Sequence, residues 1–304
     1  MDSSKENIIS IVGFLGAGKT TVLKHLVNSL VADDWQPFVI LNDYENAYLD
    51  AQQFINELDE KSVKPLNGSC ICCSGLQELR NFINRIPSRD KGVTLIEANG
   101  TSDAVALSGF LGIGIEERFN PPVQISAVDA RNWQKREENN ELEANQIQVS
   151  SLIILTHTNN VSQDRLEFVM RDVKRFNKLA QIVRFEELNI EVLNILKPSK
   201  NKAEKLEHQK AHWASCSIDL PVLPNREVIH KICDNFPKNI LRVKGCALVG
   251  NDEDYTFFEK TPSGEANIRF FNGIPPMGAK LLTVGVGSDE ELLKNALEKA
   301  LESH

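Results

Sequence analysis

Short apolar runs alternate with amphipathic stretches over residues 8–183. Ile8-Ile9-Ser10-Ile11-Val12 ends at Gly13 and predicts a buried strand, and a helical pattern follows over 19–30. Further strands are predicted at 37–41, 93–96, 123–128, 151–155 and 181–183. Polar, helix-like segments such as 76–86 and 163–176 lie between them. Buried strands alternating with helices imply an α/β fold with a mainly parallel sheet covered on both faces.

The pattern changes near residue 197. Residues 197–210 are polar and charged, and predict a linker. Beyond it, strands are predicted at 213–220, 240–249, 254–258, 266–271 and 280–286, with a helix around 227–235. A last helix is marked by the stripe Leu292, Leu293, Ala296, Leu297, Ala300 and Leu301, with Ser288 or Asp289 as its cap. Strands outnumber helices here, which predicts a smaller α+β domain. The expected organisation is a nucleotide-type α/β domain over 1–197, a linker over 198–212 and the α+β domain over 213–304.

Composition agrees. At 304 residues, about two domains and a sizeable core are expected. The chain is 41% apolar and 25% charged, which argues against disorder. Forty-two acids against 34 bases give a net charge of −8, so no nucleic-acid partner is expected. No run of about 20 apolar residues predicts a membrane span. The segment Met1-Asp2-Ser3-Ser4-Lys5-Glu6-Asn7 lacks the form of a signal peptide, so a cytoplasmic location is expected. Of six cysteines, Cys70, Cys72 and Cys73 are clustered, and Cys216, Cys233 and Cys246 are scattered on predicted elements as core residues.

Gly13-Phe14-Leu15-Gly16-Ala17-Gly18-Lys19-Thr20 fits the phosphate-loop pattern of Gly, four residues, then Gly-Lys-Thr. Glycines let the backbone wrap phosphates and turn N–H groups inward. The following helix presents its positive end to the anion. Lys19 is placed to reach the β- and γ-phosphates, Thr20 to ligate Mg²⁺, and Thr21 to continue the site. A nucleoside triphosphate is therefore the expected ligand; kinases, ATPases and GTPases all use such a loop.

The cluster Cys70-Ile71-Cys72-Cys73 is the second signal. Thiolates suit zinc, copper(I) or cobalt, and three within four residues can converge on one ion. A redox thiol and three small buried apolar residues are the alternatives.

Together the two motifs resemble the CobW family of P-loop GTPases, metallochaperones related to the nickel-insertion GTPases of hydrogenase and urease. Cys70-Ile71-Cys72-Cys73 matches its Cys-x-Cys-Cys motif. Asn42-Asp43-Tyr44 is similar to its Asn-Glu-Phe, with Asp50 at a further acidic position. Glu97-Ala98-Asn99-Gly100 resembles its Glu-Thr-Ser/Thr-Gly, and Val128-Asp129-Ala130 and Asn177-Lys178-Leu179-Ala180 have counterparts. Leu241-Arg242-Val243-Lys244-Gly245 resembles its Arg-Ala-Lys-Gly segment. The resemblance implies GTP hydrolysis coupled to delivery of zinc or cobalt to a client metalloprotein. It implies Cys70, Cys72 and Cys73 as metal ligands, and Asp43 and Glu97 as candidates for the Mg²⁺ shell or for positioning the attacking water. GTP would organise the metal site, and hydrolysis would loosen it.

The sequence departs from the family at one functional place. Where Asn-Lys-x-Asp is usual, it has Thr156-His157-Thr158-Asn159. Asn159 offers a neutral oxygen in place of the aspartate that accepts two guanine donors. Losing a charged hydrogen bond costs about 1.5–3 kcal/mol, about tenfold or more in guanine preference. GTP is the first expectation and ATP the second, with His157 a candidate to stack on the base. His208 and His212, four apart, replace the family's histidine-rich stretch and form at most a weak metal site. Trp35, Trp133 and Trp213 carry no motif, and Lys135-Arg136-Glu137-Glu138 is expected to form a solvated face.

Three functions follow. A nucleotide-hydrolysing metallochaperone uses both motifs. A regulatory module that binds nucleotide and metal with little turnover fits the altered base motif. A small-molecule kinase gives the cysteines no role.

Overall fold

The computed structural model describes residues 5–42, 54, 58–66, 75–194, 215–237, 240–260, 266–271, 275, 278–285 and 288–302. They belong to two compact units. The linker expected over 198–212 lies outside the described residues, as do His208, His212 and Trp213.

The first unit is a seven-stranded parallel sheet in the order β3-β2-β4-β1-β5-β6-β7. Its strands are β1 (Asn7–Val12), β2 (Gln36–Asn42), β3 (Val63–Leu66), β4 (Gly92–Glu97), β5 (Val123–Asp129), β6 (Leu152–Thr156) and β7 (Gln181–Arg184). Helix α1 (Lys19–Ala32) joins β1 to β2. Gly75–Arg85, Ala104–Leu111, Asn140–Gln148 and Gln163–Phe176 form the helices of the later crossovers. β1, β4 and β5 are buried along their whole length, as strands covered on both faces must be. α1 turns Val22, Leu23, Leu26, Val27 and Leu30 inward at helical spacing.

The chain adds strands to one side of β1 as far as β4, then crosses to β5 on the other side. A parallel sheet gathers its strand C-termini on one edge, and ligands bind there at such a reversal.

Several elements fall outside the apolar pattern. β3 is an edge strand that contains Pro65, which an edge tolerates because no ladder hydrogen bond is lost there. Helix Ala104–Leu111 is apolar but for Ser108 and is set by Asp103, whose side chain accepts the Ala106 N–H. Helix Asn140–Gln148 buries Glu143, Asn145 and Gln146 together with Leu142, Ala144 and Ile147, so its inward face is mixed.

The second unit is a five-stranded antiparallel sheet in the order β11-β10-β9-β12-β8. It comprises β8 (Ser215–Asp219), β9 (Ile240–Ala247), β10 (Tyr255–Lys260), β11 (Ala266–Phe271) and β12 (Lys280–Gly285). Helices Arg226–Asp234 and Glu290–Glu302 contribute Val228, Ile229, Ile232, Leu293, Leu297 and Ala300 to its core. Asn225 caps the first, and Asp289 rather than Ser288 caps the second through Leu292 N–H at 2.8 Å. Cys233 and Cys246 are buried, and burial pushes both thiols up to about 12. They are inert apolar fillers. Cys216 is half-buried against the same core.

Candidate functional site

The glycine loop of residues 13–20 leaves β1 and enters α1 at the C-terminal edge of the sheet. Gly13 has φ +143°, and a Cβ there would collide with the Ala127 carbonyl of β5. Gly18 stands before α1 with φ +85° and provides no side-chain cap, and the positive end of α1 faces the loop. The buried Lys19 ammonium donates to the Gly13 carbonyl at 2.9 Å and to that of Phe14 at 3.3 Å, folded across its own loop.

Two hydroxyls tie this loop to its neighbours. The Thr20 hydroxyl donates to Glu97 Oε1 at 2.9 Å. Glu97 ends β4, and the pairing of Ile11 with Glu97 carries it to the mouth of the loop. A hydroxyl and a carboxylate side by side are the hard oxygen donors that Mg²⁺ takes, so the pair fits that ion. From the other side, Thr156 at the end of β6 donates to the Ala17 carbonyl at 2.9 Å and to that of Val128 at 3.2 Å.

Beyond Thr156 lies the segment that departs from the family motif. His157 takes a left-handed conformation, φ +56°, and turns the chain. The Thr158 hydroxyl lies 2.9 Å from both Oε1 and Oε2 of Glu186, and Asn159 Nδ2 donates to Oε1 at 3.2 Å. Glu186 follows β7, whose Arg184 pairs with Leu155 of β6. The same loop is anchored to α1. His25 Nε2 is 2.8 Å from the Leu188 carbonyl oxygen, and the His25 ring meets Phe185 edge-on at 5.3 Å.

A buried charge cluster underlies the loop. The Arg136 guanidinium sits 4.9 Å from the centre of the Phe14 ring, 3.8 Å from Asp129 and 3.6 Å from Glu143. Arg136 is therefore buried, contrary to the solvated face expected for residues 135–138; only Lys135, Glu137 and Glu138 are exposed. The run misleads because one of its four charges faces inward to two buried acids. Burial raises the Asp129 carboxyl. Hydrogen bonds from Arg131 and Asn132, with the His157 and Arg131 charges, outweigh it and hold Asp129 below the usual carboxylate range. Glu143 goes the other way. Burial pushes it from 4.5 up to about 7, against the Gln134 N–H bond at 2.7 Å and the Arg136 charge.

Of the residues singled out from sequence, Gly13, Gly16, Ala17, Gly18, Lys19, Thr20, Thr21, Glu97, His157 and Asn159 are described. The phosphate loop meets Glu97 through Thr20, and the segment after β6 joins it through Thr156. Asp43, Cys70, Cys72 and Cys73 lie outside the described residues, as does Asp50. Asn99 closes its own turn onto Thr101, and Asn177 fixes the entry to β7 through Ile147, Ser150 and Ala180. Both support the frame. Sequence reasoning missed Glu186 and Arg136. The parallel register of β6 and β7 is the signal for Glu186, since it sets the two exit loops side by side.

A family model described as the CobW/HypB/UreG nucleotide-binding domain matches residues 7–184. Zinc-regulated GTPase metalloprotein activator 1 of Dictyostelium discoideum is 21% identical over 210 residues, 57% of this chain and 44% of that protein. Zinc chaperone YjiA of Escherichia coli is 28% identical over 156 residues, 49% of this chain and 48% of that protein. The chain thus spans about half the length of these curated relatives. The crystal structure of Zn(II)-bound YjiA GTPase from E. coli matches with TM-score 0.44 at 17% identity, covering 97% of this chain and 99% of that one.

Glu143 generates a pH dependence of stability. Its folded value of about 7 lies above the ordinary 4.5, so the folded state holds the extra proton between them. The stability of the protonated form is fully present below pH 4.5 and is lost as pH rises through 7. Glu143→Gln keeps an oxygen for the Gln134 N–H and removes the titration. Thermal unfolding of the variant should show a flatter profile between pH 5 and 8, with a gain of up to about 3 kcal/mol at the upper end. An unchanged slope would rule the assignment out.

Proposed function

Because the chain belongs to the CobW/HypB/UreG family of nucleotide-binding proteins, we propose that it is a nucleoside triphosphate hydrolase that delivers a transition metal. GTP is the substrate and zinc the cargo, with ATP and cobalt as the alternatives to test against them. A metalloprotein client receives the ion. The observation that carries this reading is the assembled phosphate loop, with Lys19 buried at its centre and Thr20 bonded to Glu97 at 2.9 Å.

Each group has a task. The backbone of residues 13–18 wraps the phosphates, and the start of α1 adds its positive end. Lys19 leaves the Gly13 and Phe14 carbonyls for the β- and γ-phosphates, where its charge offsets that developing in the transition state. Thr20, with Asp43 or Glu97, holds Mg²⁺, which when bound neutralises charge on the phosphate oxygens. Glu97 alternatively orients the attacking water. Ala17 and Thr21 continue the cradle, and His157 and Asn159 are the candidates to meet the base. Cys70, Cys72 and Cys73 bind the cargo as thiolates, which suit zinc and cobalt. The names of the two relatives support zinc. Intact Lys19, Thr20 and Glu97 favour turnover over the purely regulatory reading.

Phosphate release measured with Mg²⁺ should fall about 10²–10³-fold in Lys19→Ala; unaltered turnover would exclude this loop as the hydrolytic site. Competition with a chromophoric chelator should show tight binding of one zinc ion, lost when Cys70, Cys72 and Cys73 are all replaced by serine. Retention of that affinity would move the cargo site elsewhere.

A further inference from the structure

We propose that Glu186 supplies the negative acceptor that selects guanine in this site. The inference rests on the nucleotide-hydrolase reading and names a specificity residue within it.

Guanine presents two adjacent donors on its Watson–Crick edge, N1–H and the 2-amino group. Adenine presents one donor, the 6-amino group, beside the N1 acceptor. A carboxylate can accept both guanine donors, whereas it faces the adenine N1 lone pair at a cost. Asn159 has no charge to contribute. Glu186 brings one to the same place: Thr158 Oγ1 is 2.9 Å from both its oxygens, and the Asn159 amide is 3.2 Å from Oε1. A carboxylate has about four acceptor positions, and these two donors leave capacity for a ligand. With Asn159 Nδ2 turned to Glu186, its Oδ1 adds a further acceptor. Both Glu186 and Asn159 are exposed, so the pair is accessible to a base.

The position follows from the fold. β6 and β7 run parallel with Leu155 beside Arg184, so residues 157–159 and 185–187 leave the same edge together. Thr156, the residue before this segment, is bonded to Ala17 of the phosphate loop. His25 holds the Glu186 loop from the other side and belongs to α1, the helix that begins with Lys19 and Thr20. The acceptor and the phosphate cradle are thus parts of one frame. Two nearby donors hold the Glu186 carboxylate in place, which lessens the side-chain entropy that a base would otherwise have to remove.

Calorimetric titration of the full chain with non-hydrolysable GTP and ATP analogues, and with inorganic tripolyphosphate, tests this. The wild type should prefer the GTP analogue by about tenfold or more, the span of one charged hydrogen bond. Glu186→Gln should lower affinity for the GTP analogue by a similar factor, bind the ATP analogue as well as or better than before, and leave tripolyphosphate binding unchanged. Asn159→Asp in the Glu186→Gln background should restore the preference. Tripolyphosphate binding reports an intact phosphate loop, so loss of fold is distinguished from loss of base recognition. A wild type that prefers the ATP analogue, or an unchanged preference in Glu186→Gln, would overturn the proposal while leaving the hydrolase reading standing. Binding of all three ligands unaffected by Lys19→Ala would overturn both.

Discussion

The loop at Gly13 has no room for a side chain, because the backbone of β5 is pressed against it. That close approach fixes where the chain turns from β1, and the rest of the site is built out from it. β4 reaches the loop through Glu97 and Thr20, and β6 reaches it through Thr156 and Ala17. Strands far apart in sequence meet here because parallel order puts their C-termini on one edge. The cradle is therefore a property of the sheet as much as of the glycine motif.

Charge is organised locally and not by the net balance. The chain carries −8 overall, yet backbone amides and Lys19 provide a positive cradle at one edge. Beneath it, Arg136 lies against the Phe14 ring and between two buried acids that respond in opposite directions. Asp129 is held ionised by its many donors, whereas Glu143, with fewer, retains a proton to about 7. Burying charge is costly unless donors compensate, and the contrast between these acids follows from that rule.

Much of the frame was legible in sequence because its signals are local. An apolar run before Gly13 and a stripe from Val22 to Leu30 specify strand, loop and helix without reference to anything distant. The antiparallel unit was legible for the same reason, down to a choice between two caps that Asp289 decides. Other features depend on contacts that no local pattern encodes. Arg136 hides within a run of surface charges because its partners, Asp129 and Glu143, come from other elements. Helix Asn140–Gln148 buries Glu143, Asn145 and Gln146 beside Leu142, Ala144 and Ile147, so no apolar stripe marks its inward face. Asn159 in place of the family's aspartate reads as a weakened guanine preference, while the contact of Glu186, 27 residues further on, is visible only once β6 and β7 are paired.

Metal delivery driven by hydrolysis, as proposed above, requires nucleotide state and metal affinity to be coupled, and coupling acts in both directions. The most direct measurement is zinc affinity of the full chain determined twice, once with a non-hydrolysable GTP analogue and once with GDP, both at saturation. Zinc should bind more tightly with the triphosphate analogue, by about fivefold or more, the lower end of ordinary coupling. Equal zinc affinity in the two states would contradict it.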